Sequence, residues 1–287
     1  MVFHQQFYEI KFKNKMGIKK LSIREVQLLQ LNLMKKVDKF CSKHNINYYL
    51  IGGSCLGAIR HQGFIPWDDD IDIAMLRSDY DIFIKLIKDY LPPTEYFVQN
   101  YNSDKEMAPA LTRLCIKKTF VDIKYSKHLK HQKYTYIDIF PLDKVPEQKY
   151  LQERHRRHLY LIDRLIQLKL FHLYRGSQIE YIAKKTVSLL LSIIPLGYLQ
   201  KRRVTVMSKY KNSNSNLVCS TVSRYGYKKQ VMNLYIYGNP KRYIFEDTAF
   251  CIPEKYDEYL THLFGANYMM IPPIEARVKP QDIYMHV

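Results

Sequence analysis

Apolar residues recur at three- and four-residue steps along the first predicted element, at Ile23, Val26, Leu29, Leu33, Val37 and Phe40. This spacing predicts an amphipathic helix. Ser22, with Glu25 three positions on, has the pattern of a capping box at its start, and we expect the helix to end near His44. The β-prone run 48–51 then stops at two glycines, which predicts a strand, a glycine turn and a second helix in that order.

A period of two replaces the helical period at residue 70. Acids alternate with β-branched residues there, so Asp70 and Asp72 fall on one face of a predicted strand. A helix is predicted over 78–90, closed by the prolines at 92 and 93. Further strands are predicted at 110–116, 120–125 and 134–140.

The chain becomes basic and helical after residue 146. An apolar helical stripe is predicted over 149–175. The segment contains seven Lys and Arg residues and two acids, which gives a local charge of +5. The apolar stretch 187–199 is interrupted by Ser192, Pro195 and Gly197, and it is shorter than the roughly 20 residues that span a bilayer. Residues 212–216 read as a loop.

These changes of pattern divide the chain into four predicted parts. They are a basic lead-in (1–20), a catalytic core (21–145), a basic and apolar helical insertion (146–210) and a C-terminal part that completes the domain (211–287). The expected fold class is α/β (α+β).

Composition limits the class of protein and of partner. Hydrophobic residues make up 47% of the 287 residues, which excludes a disordered chain. Lys and Arg number 45 against 27 Asp and Glu, and the resulting +18 implies an anionic partner: nucleic acid, a membrane face or a nucleotide-linked substrate. The five cysteines form no C-x-x-C pair and are expected to be buried free thiols. With no apolar run of signal-peptide length at the N-terminus, we expect a cytoplasmic protein.

The candidate chemistry lies around the alternating acids. Two carboxylates on one strand face are suited to hold Mg²⁺ or Mn²⁺, and Asp138, alone in an apolar strand, is the best third ligand. The turn at Gly53 and Ser54 opens a helix whose free N–H groups can bind phosphate. Asp68 and Asp69 are interpreted as turn acids that position the loop, and Asp143, after a proline, as a turn cap.

Three blocks of sequence resemble the signatures of the LicD family. The first is IGGSCLGAIRHQGFIPWDDDIDI (51–73), the second is YIDIFPLD (136–143), and the third is IPEKYDEYL (252–260) with the Ile-Pro-Pro at 271–273. The resemblance covers about 25–145 and 240–275.

This resemblance implies a nucleotidyltransferase-type fold, a short mixed sheet flanked by helices. It also implies transfer of a phospho-substituent, phosphocholine from CDP-choline above all, to a hydroxyl of a surface glycan, teichoic acid or lipopolysaccharide precursor. The site residues carried over by position are the metal-binding catalytic acids Asp70, Asp72 and Asp138 and the phosphate-binding Gly53 and Ser54. Arg60, which lies in the first block, and Arg113 are candidate phosphate clamps, with a surface salt bridge as the alternative for each.

Other interpretations stay open. The alternatives are a nucleotidyltransferase that acts on RNA or protein and a non-catalytic nucleotide- or glycan-binding module. The signature blocks argue against nucleic acid as a partner. The basic helix at 149–175 is either an element that docks peripherally on an anionic membrane, where a lipid-linked glycan acceptor would lie, or a lid packed on the core.

Overall fold

The computed structural model describes residues 17–121, 134–170, 193–278 and 280–286. The helices within these residues are α1 (Ile23–His44), α2 (Gly52–His61), α3 (Arg77–Tyr90), α4 (Lys149–Lys169), α5 (Leu196–Met207), α6 (Tyr227–Gln230), α7 (Leu234–Tyr237) and α8 (Tyr256–Phe264). The strands are β1 (Ile18–Lys20), β2 (Tyr49–Leu50), β3 (Ile71–Leu76), β4 (Tyr96–Gln99), β5 (Thr112–Ile116), β6 (Thr119–Val121), β7 (Thr135–Lys144), β8 (Leu217–Cys219), β9 (Met232–Asn233), β10 (Lys241–Phe245), β11 (Thr248–Ile252) and β12 (Ile283–His286).

A mixed sheet forms the centre of the fold. Its strand order is β2-β3-β7-β5-β4, and β8 and β9 continue from the end of β7. Only β3 and β7 run parallel in this sheet as described; its other pairs are antiparallel. Because α3 follows β3 directly and α1 packs on β7, helices cover the sheet, which confirms the predicted α/β class.

Helix α1 begins and ends where the local chemistry predicts. The Ser22 backbone N–H donates to Glu25 at 2.8 Å while the Ser22 hydroxyl accepts from the Glu25 N–H at 3.3 Å, so both bonds of the capping box form. The helix stops at Asn45, which takes the left-handed conformation (φ 52°) that asparagine tolerates.

Strand β7 is longer than predicted, and this corrects the interpretation of Asp143. The strand does not stop at Pro141 but runs on to Lys144, where β8 pairs with its end. Asp143 is fully buried and does not cap a turn. Its two carboxylate oxygens accept bonds of 2.7 Å from Nε and Nη2 of Arg77, at the start of α3.

The described part of the basic helix packs one face on the core, as the lid interpretation expects, while its other face stays exposed. Leu159, Ile162 and Ile166 of α4 are buried in a cluster that includes residues of α5. Residues 122–125, 171–175 and 187–192 of the predicted elements lie outside the described residues. Within the described part, no helix is long and apolar enough to cross a membrane.

The cysteines are free thiols, as expected. Cys41, Cys55, Cys115 and Cys219 are buried, and Cys251 is half-buried. The division of the chain into four parts stays a prediction.

Candidate active site

The parallel pairing of β3 with β7 brings two of the predicted acids together. Asp72 and Asp138 are direct partners in the register, so their side chains lie on the same face of neighbouring strands. The hydroxyl of Ser54, at the start of α2, accepts a 2.8 Å hydrogen bond from the Asp72 backbone N–H. Ser54 thus fixes the strand that carries the acids, a role that the motif alone did not indicate.

Asp68 closes a turn, as predicted, because its backbone N–H donates to the Ile65 carbonyl at 2.9 Å. Its carboxylate also belongs to the same cluster, which was not predicted. A Cβ added at Gly53 would lie 2.7 Å from Asp68 Oδ2, so the carboxylate occupies the space that the glycine leaves at the start of α2. Asp69 does position the loop, as predicted, because its Oδ2 accepts a 2.7 Å bond from the Gln281 backbone N–H.

Two buried glutamines of α1 hold the acidic loop in place. Gln27 donates to the Asp68 carbonyl at 2.9 Å, and Gln30 donates to the carbonyls of Asp69 at 2.8 Å and Tyr136 at 3.1 Å. Sequence reasoning missed both, because a search for apolar periodicity passes over polar positions. The signal that the sequence did offer was the position of both glutamines on the apolar face of the predicted helix.

Burial and mutual repulsion oppose ionisation of the clustered carboxylates. Burial, together with Asp68, Asp69 and Asp138, raises the pKa of Asp70 to about 7. The pKa of the half-buried Asp72 is raised well above its usual value for the same two reasons, with Asp70 the strongest repelling neighbour. A cation bound beside these carboxylates would favour their ionised forms.

The acids supply suitable metal ligands but are not arranged around a metal position. Within residues 17–121, 134–170, 193–278 and 280–286, no three Asp, Glu, His or Cys side chains are arranged as a metal-ion site. Asp138 Oδ1 accepts a 2.9 Å bond from Arg113 Nε. The carboxylate oxygens, their burial and their repulsion nevertheless fit a hard divalent cation.

Both arginines predicted to clamp phosphate have other partners. Arg113 is opposite Asp138 in the register of β5 and β7, is bonded to it, and lies 4.0 Å from the centre of the Tyr136 ring. Arg60 Nη1 donates to the carbonyls of Tyr268 and Met270 at 3.1 and 3.0 Å, so it ties α2 to the C-terminal segment.

The glycine turn has the predicted form. Gly52 has φ +54°, and its N–H donates to the Tyr259 hydroxyl at 2.9 Å. Gly53 and Ser54 follow in the first turn of α2 beside the carboxylates. Phosphate binding at this turn stays a prediction.

Arg224 and Tyr225 approach the cluster from a loop that sequence reasoning left unassigned. Asp72 Oδ2 and Tyr225 Cε2 lie 3.9 and 3.8 Å from a Cβ position built on Gly52. Arg224 Nη2 lies 3.3 Å from the Tyr225 hydroxyl. The loop has neither periodicity nor a glycine motif, so nothing in the sequence separated this arginine from the other basic residues.

Comparison with known proteins decides the family. Residues 45–160 match the LicD/FKTN/FKRP nucleotidyltransferase domain. The chain is 30% identical over 268 residues to the lipopolysaccharide cholinephosphotransferase LicD of Haemophilus influenzae, an alignment that covers 93% of this chain and 98% of that protein. The chain belongs to the LicD family.

Two further relatives share shorter stretches. An uncharacterized protein of Rickettsia prowazekii, RP689, is 38% identical over 131 residues, 45% of each chain. The human ribitol 5-phosphate transferase FKRP is 50% identical over 34 residues, 12% of this chain and 7% of that protein. As a member of the LicD family, the chain is an enzyme that transfers a substituted phosphate group.

Proposed function

We propose that this LicD protein transfers phosphocholine from CDP-choline to a hydroxyl of a lipopolysaccharide or related surface-glycan precursor, with Mg²⁺ or Mn²⁺ as cofactor. The observation that carries the proposal is the half-buried cluster of Asp68, Asp70, Asp72 and Asp138 beside the first turn of α2. The near full-length similarity to a lipopolysaccharide cholinephosphotransferase supports the choice of alcohol and acceptor.

In this proposal Asp70, Asp72 and Asp138 hold the divalent cation. Ser54 orients Asp72 through its backbone N–H, and Arg113 fixes Asp138 through Oδ1. The cation, when bound, would neutralise charge that develops on the phosphates. The roles of this chain's residues are to place the carboxylates and to limit their exposure to water.

The reaction is an in-line displacement at phosphorus. The acceptor oxygen forms a bond to the phosphorus that carries choline, the anhydride P–O bond breaks, and CMP leaves with its electron pair. The hydroxyl proton passes to a carboxylate of the cluster. We assign this step to Asp138, whose Oδ1 is held by Arg113. No covalent enzyme intermediate is needed, and Cys55, buried in the core, takes no part.

We also propose that the protein works at the inner face of the plasma membrane as a peripheral protein. The outward face of α4 carries the exposed Tyr150 and Leu161 together with Arg154 and Arg157. Arginines suit anionic lipid head groups, while tyrosine and leucine suit the acyl boundary. Docking there would bring the site to a lipid-linked glycan acceptor.

The proposal is tested by following the acceptor. Purified protein with Mg²⁺, CDP-choline and a lipopolysaccharide lacking phosphocholine should yield an acceptor that has gained one phosphocholine by mass spectrometry. Asp72→Asn should yield none, while Asp89→Asn, a change at an exposed acid of α3, should behave as wild type. A nucleotide attached to the acceptor would indicate nucleotidyl transfer, and donor binding without turnover would indicate a binding module; either result contradicts the proposal.

A further inference from the structure

The donor in the proposed reaction is a diphosphate, and the predicted phosphate clamps are already engaged. Arg113 is bonded to a carboxylate and Arg60 to two backbone carbonyls. Arg77, also near the sheet, is bound to the buried Asp143. The acidic cluster repels an anionic donor, so a cationic group without a carboxylate partner is needed beside it.

Arg224 meets this requirement. Its Nη2 is 3.3 Å from the hydroxyl of Tyr225, and its guanidinium lies 5.3 Å from the centre of that ring. Tyr225 in turn packs on the start of α2, where Asp72 Oδ2 approaches Gly52. Among the described residues, no carboxylate oxygen forms an ion pair with the Arg224 guanidinium, which would need an N···O distance of 4.0 Å or less. The residue is exposed.

Tyr225 keeps the guanidinium at this position. Its ring packs edge-on against Phe264 of α8 with a centroid distance of 5.7 Å, and it is half-buried. The ring and hydroxyl together limit where Arg224 can point, so little rotamer freedom is lost when a ligand binds. An arginine with its planar fork of donors presented to open space is suited to bind phosphate oxygens.

We propose that Arg224 binds the diphosphate of the CDP-linked donor at the mouth of the carboxylate cluster, with Tyr225 as its positioning residue. This inference rests on the proposed function and adds a residue outside the segment 45–160 that matches the family domain. The donor would then lie between the acids on β3 and β7 and the loop that follows β8.

The charges of the described site agree with this assignment. Asp68, Asp70, Asp72 and Asp138 contribute four carboxylates, and Arg113 neutralises one of them by direct contact. Arg224 is attracted to the carboxylates of Asp70 and Asp72 without contacting them. A divalent cation on the acids would weaken this attraction and leave the guanidinium available to an anionic ligand.

The test measures binding of CDP in the presence of Mg²⁺ by calorimetry and by fluorescence. Trp67, the single tryptophan, directly precedes Asp68 and reports on ligands at the cluster. Arg224→Ala should weaken CDP binding roughly 10- to 100-fold, the loss expected for a hydrogen bond to a charged group. Arg224→Lys should be intermediate, and the exposed Arg202→Ala of α5 should bind as wild type.

A purely electrostatic role for Arg224 gives a different result. If the arginine only kept the carboxylates ionised, its loss would weaken Mg²⁺ binding and would be offset at higher pH. We expect the defect in CDP binding to persist at pH 8.5 with saturating Mg²⁺, with a raised KM for CDP-choline and a smaller change in kcat. Unchanged CDP affinity in a folded Arg224→Ala protein, or full recovery at high pH, would overturn the inference.

CDP binding and CMP release by the wild-type protein distinguish a failure of this inference from a failure of the proposed function. If wild type releases CMP from CDP-choline and Arg224→Ala keeps the wild-type KM, the inference fails while the function stands. If wild type neither binds CDP nor releases CMP from any CDP-alcohol, the function fails, and the assignment of Arg224 to a CDP-linked donor fails with it.

Discussion

The environment of Asp70 opposes ionisation of its carboxylate. Burial and neighbouring carboxylates raise its pKa to about 7 in the folded protein, whereas an unfolded chain gives about 3.9. Between these values the folded state binds more protons than the unfolded state. The free energy of unfolding of metal-free protein therefore falls as pH rises from about 4 through 7.

This direction of the pH dependence gives a prediction for Asp70→Asn, a substitution that removes the charge of the side chain but keeps its shape. In EDTA at pH 8 the variant should melt a few degrees above wild type, and the difference should vanish near pH 4, where both proteins are neutral at this position. The measurement is thermal unfolding by circular dichroism across this pH range. A variant that is less stable than wild type at pH 8 in EDTA would contradict the account of the cluster.

At the same scale, sequence patterns predicted three acids of the cluster but not the residues that hold them in place. Asp70, Asp72 and Asp138 were predicted because carboxylates in an apolar strand stand out. Asp68 was correctly assigned to a turn, but its place in the cluster was not predicted, because a run of three acids gives no period that shows which one points inward. Its approach to Gly53 depends on the packing of the loop against α2, which only the folded chain fixes.

Among the elements, α3 and β7 are joined by a buried ion pair. Arg77 begins α3 and Asp143 lies near the end of β7, and both side chains are almost inaccessible, at 11% and 0% exposure. A bidentate pair in this position satisfies both charges, but removal of one partner leaves the other buried and uncompensated.

We predict that Arg77→Met lowers the free energy of unfolding by about 3–5 kcal/mol. The double variant Arg77→Met with Asp143→Leu should recover most of this loss, because it removes the stranded carboxylate. Urea unfolding followed by circular dichroism measures both values. Equal losses in the single and double variants would show that the carboxylate of Asp143 is not the source of the instability.

Elements with strong local signals were predictable, and those fixed by distant contacts were not. Helix α1 was predicted with its cap because Ser22 and Glu25 satisfy each other locally. The extension of β7 beyond Pro141 was missed because its last residues pair with β8, more than seventy positions later in the chain. The loop that carries Arg224 follows β8 and has no period of its own, so its approach to the cluster depends on the same tertiary pairing.

For the whole molecule, the charge of +18 is the property that most affects its partners. The basic outward face of α4 is the surface that we assign to an anionic bilayer. We predict that the protein sediments with vesicles of mixed phosphatidylglycerol and phosphatidylcholine, less so with phosphatidylcholine alone, and that salt weakens this binding.

Charge reversal on α4 provides the control for this prediction. Arg154→Glu with Arg157→Glu should reduce vesicle binding by about 30-fold or more, since each basic residue near an anionic surface contributes about 1 kcal/mol. Lys241→Glu, a single change at an exposed residue of β10, should have a smaller effect. If the α4 double variant sediments as wild type does, the membrane contact is not on this helix.

At the scale of the whole molecule, the proposed function depends most directly on which CDP-linked alcohol the protein uses as its donor. The decisive measurement is CMP release from CDP-choline, CDP-ribitol and CDP-glycerol by purified protein with Mg²⁺ and a lipopolysaccharide acceptor, with Asp70→Ala and the exposed Asp89→Ala as matched variants. The account predicts acceptor-dependent release from CDP-choline that EDTA and Asp70→Ala abolish and Asp89→Ala does not. Release that survives Asp70→Ala, or no release from any CDP-alcohol, would contradict it.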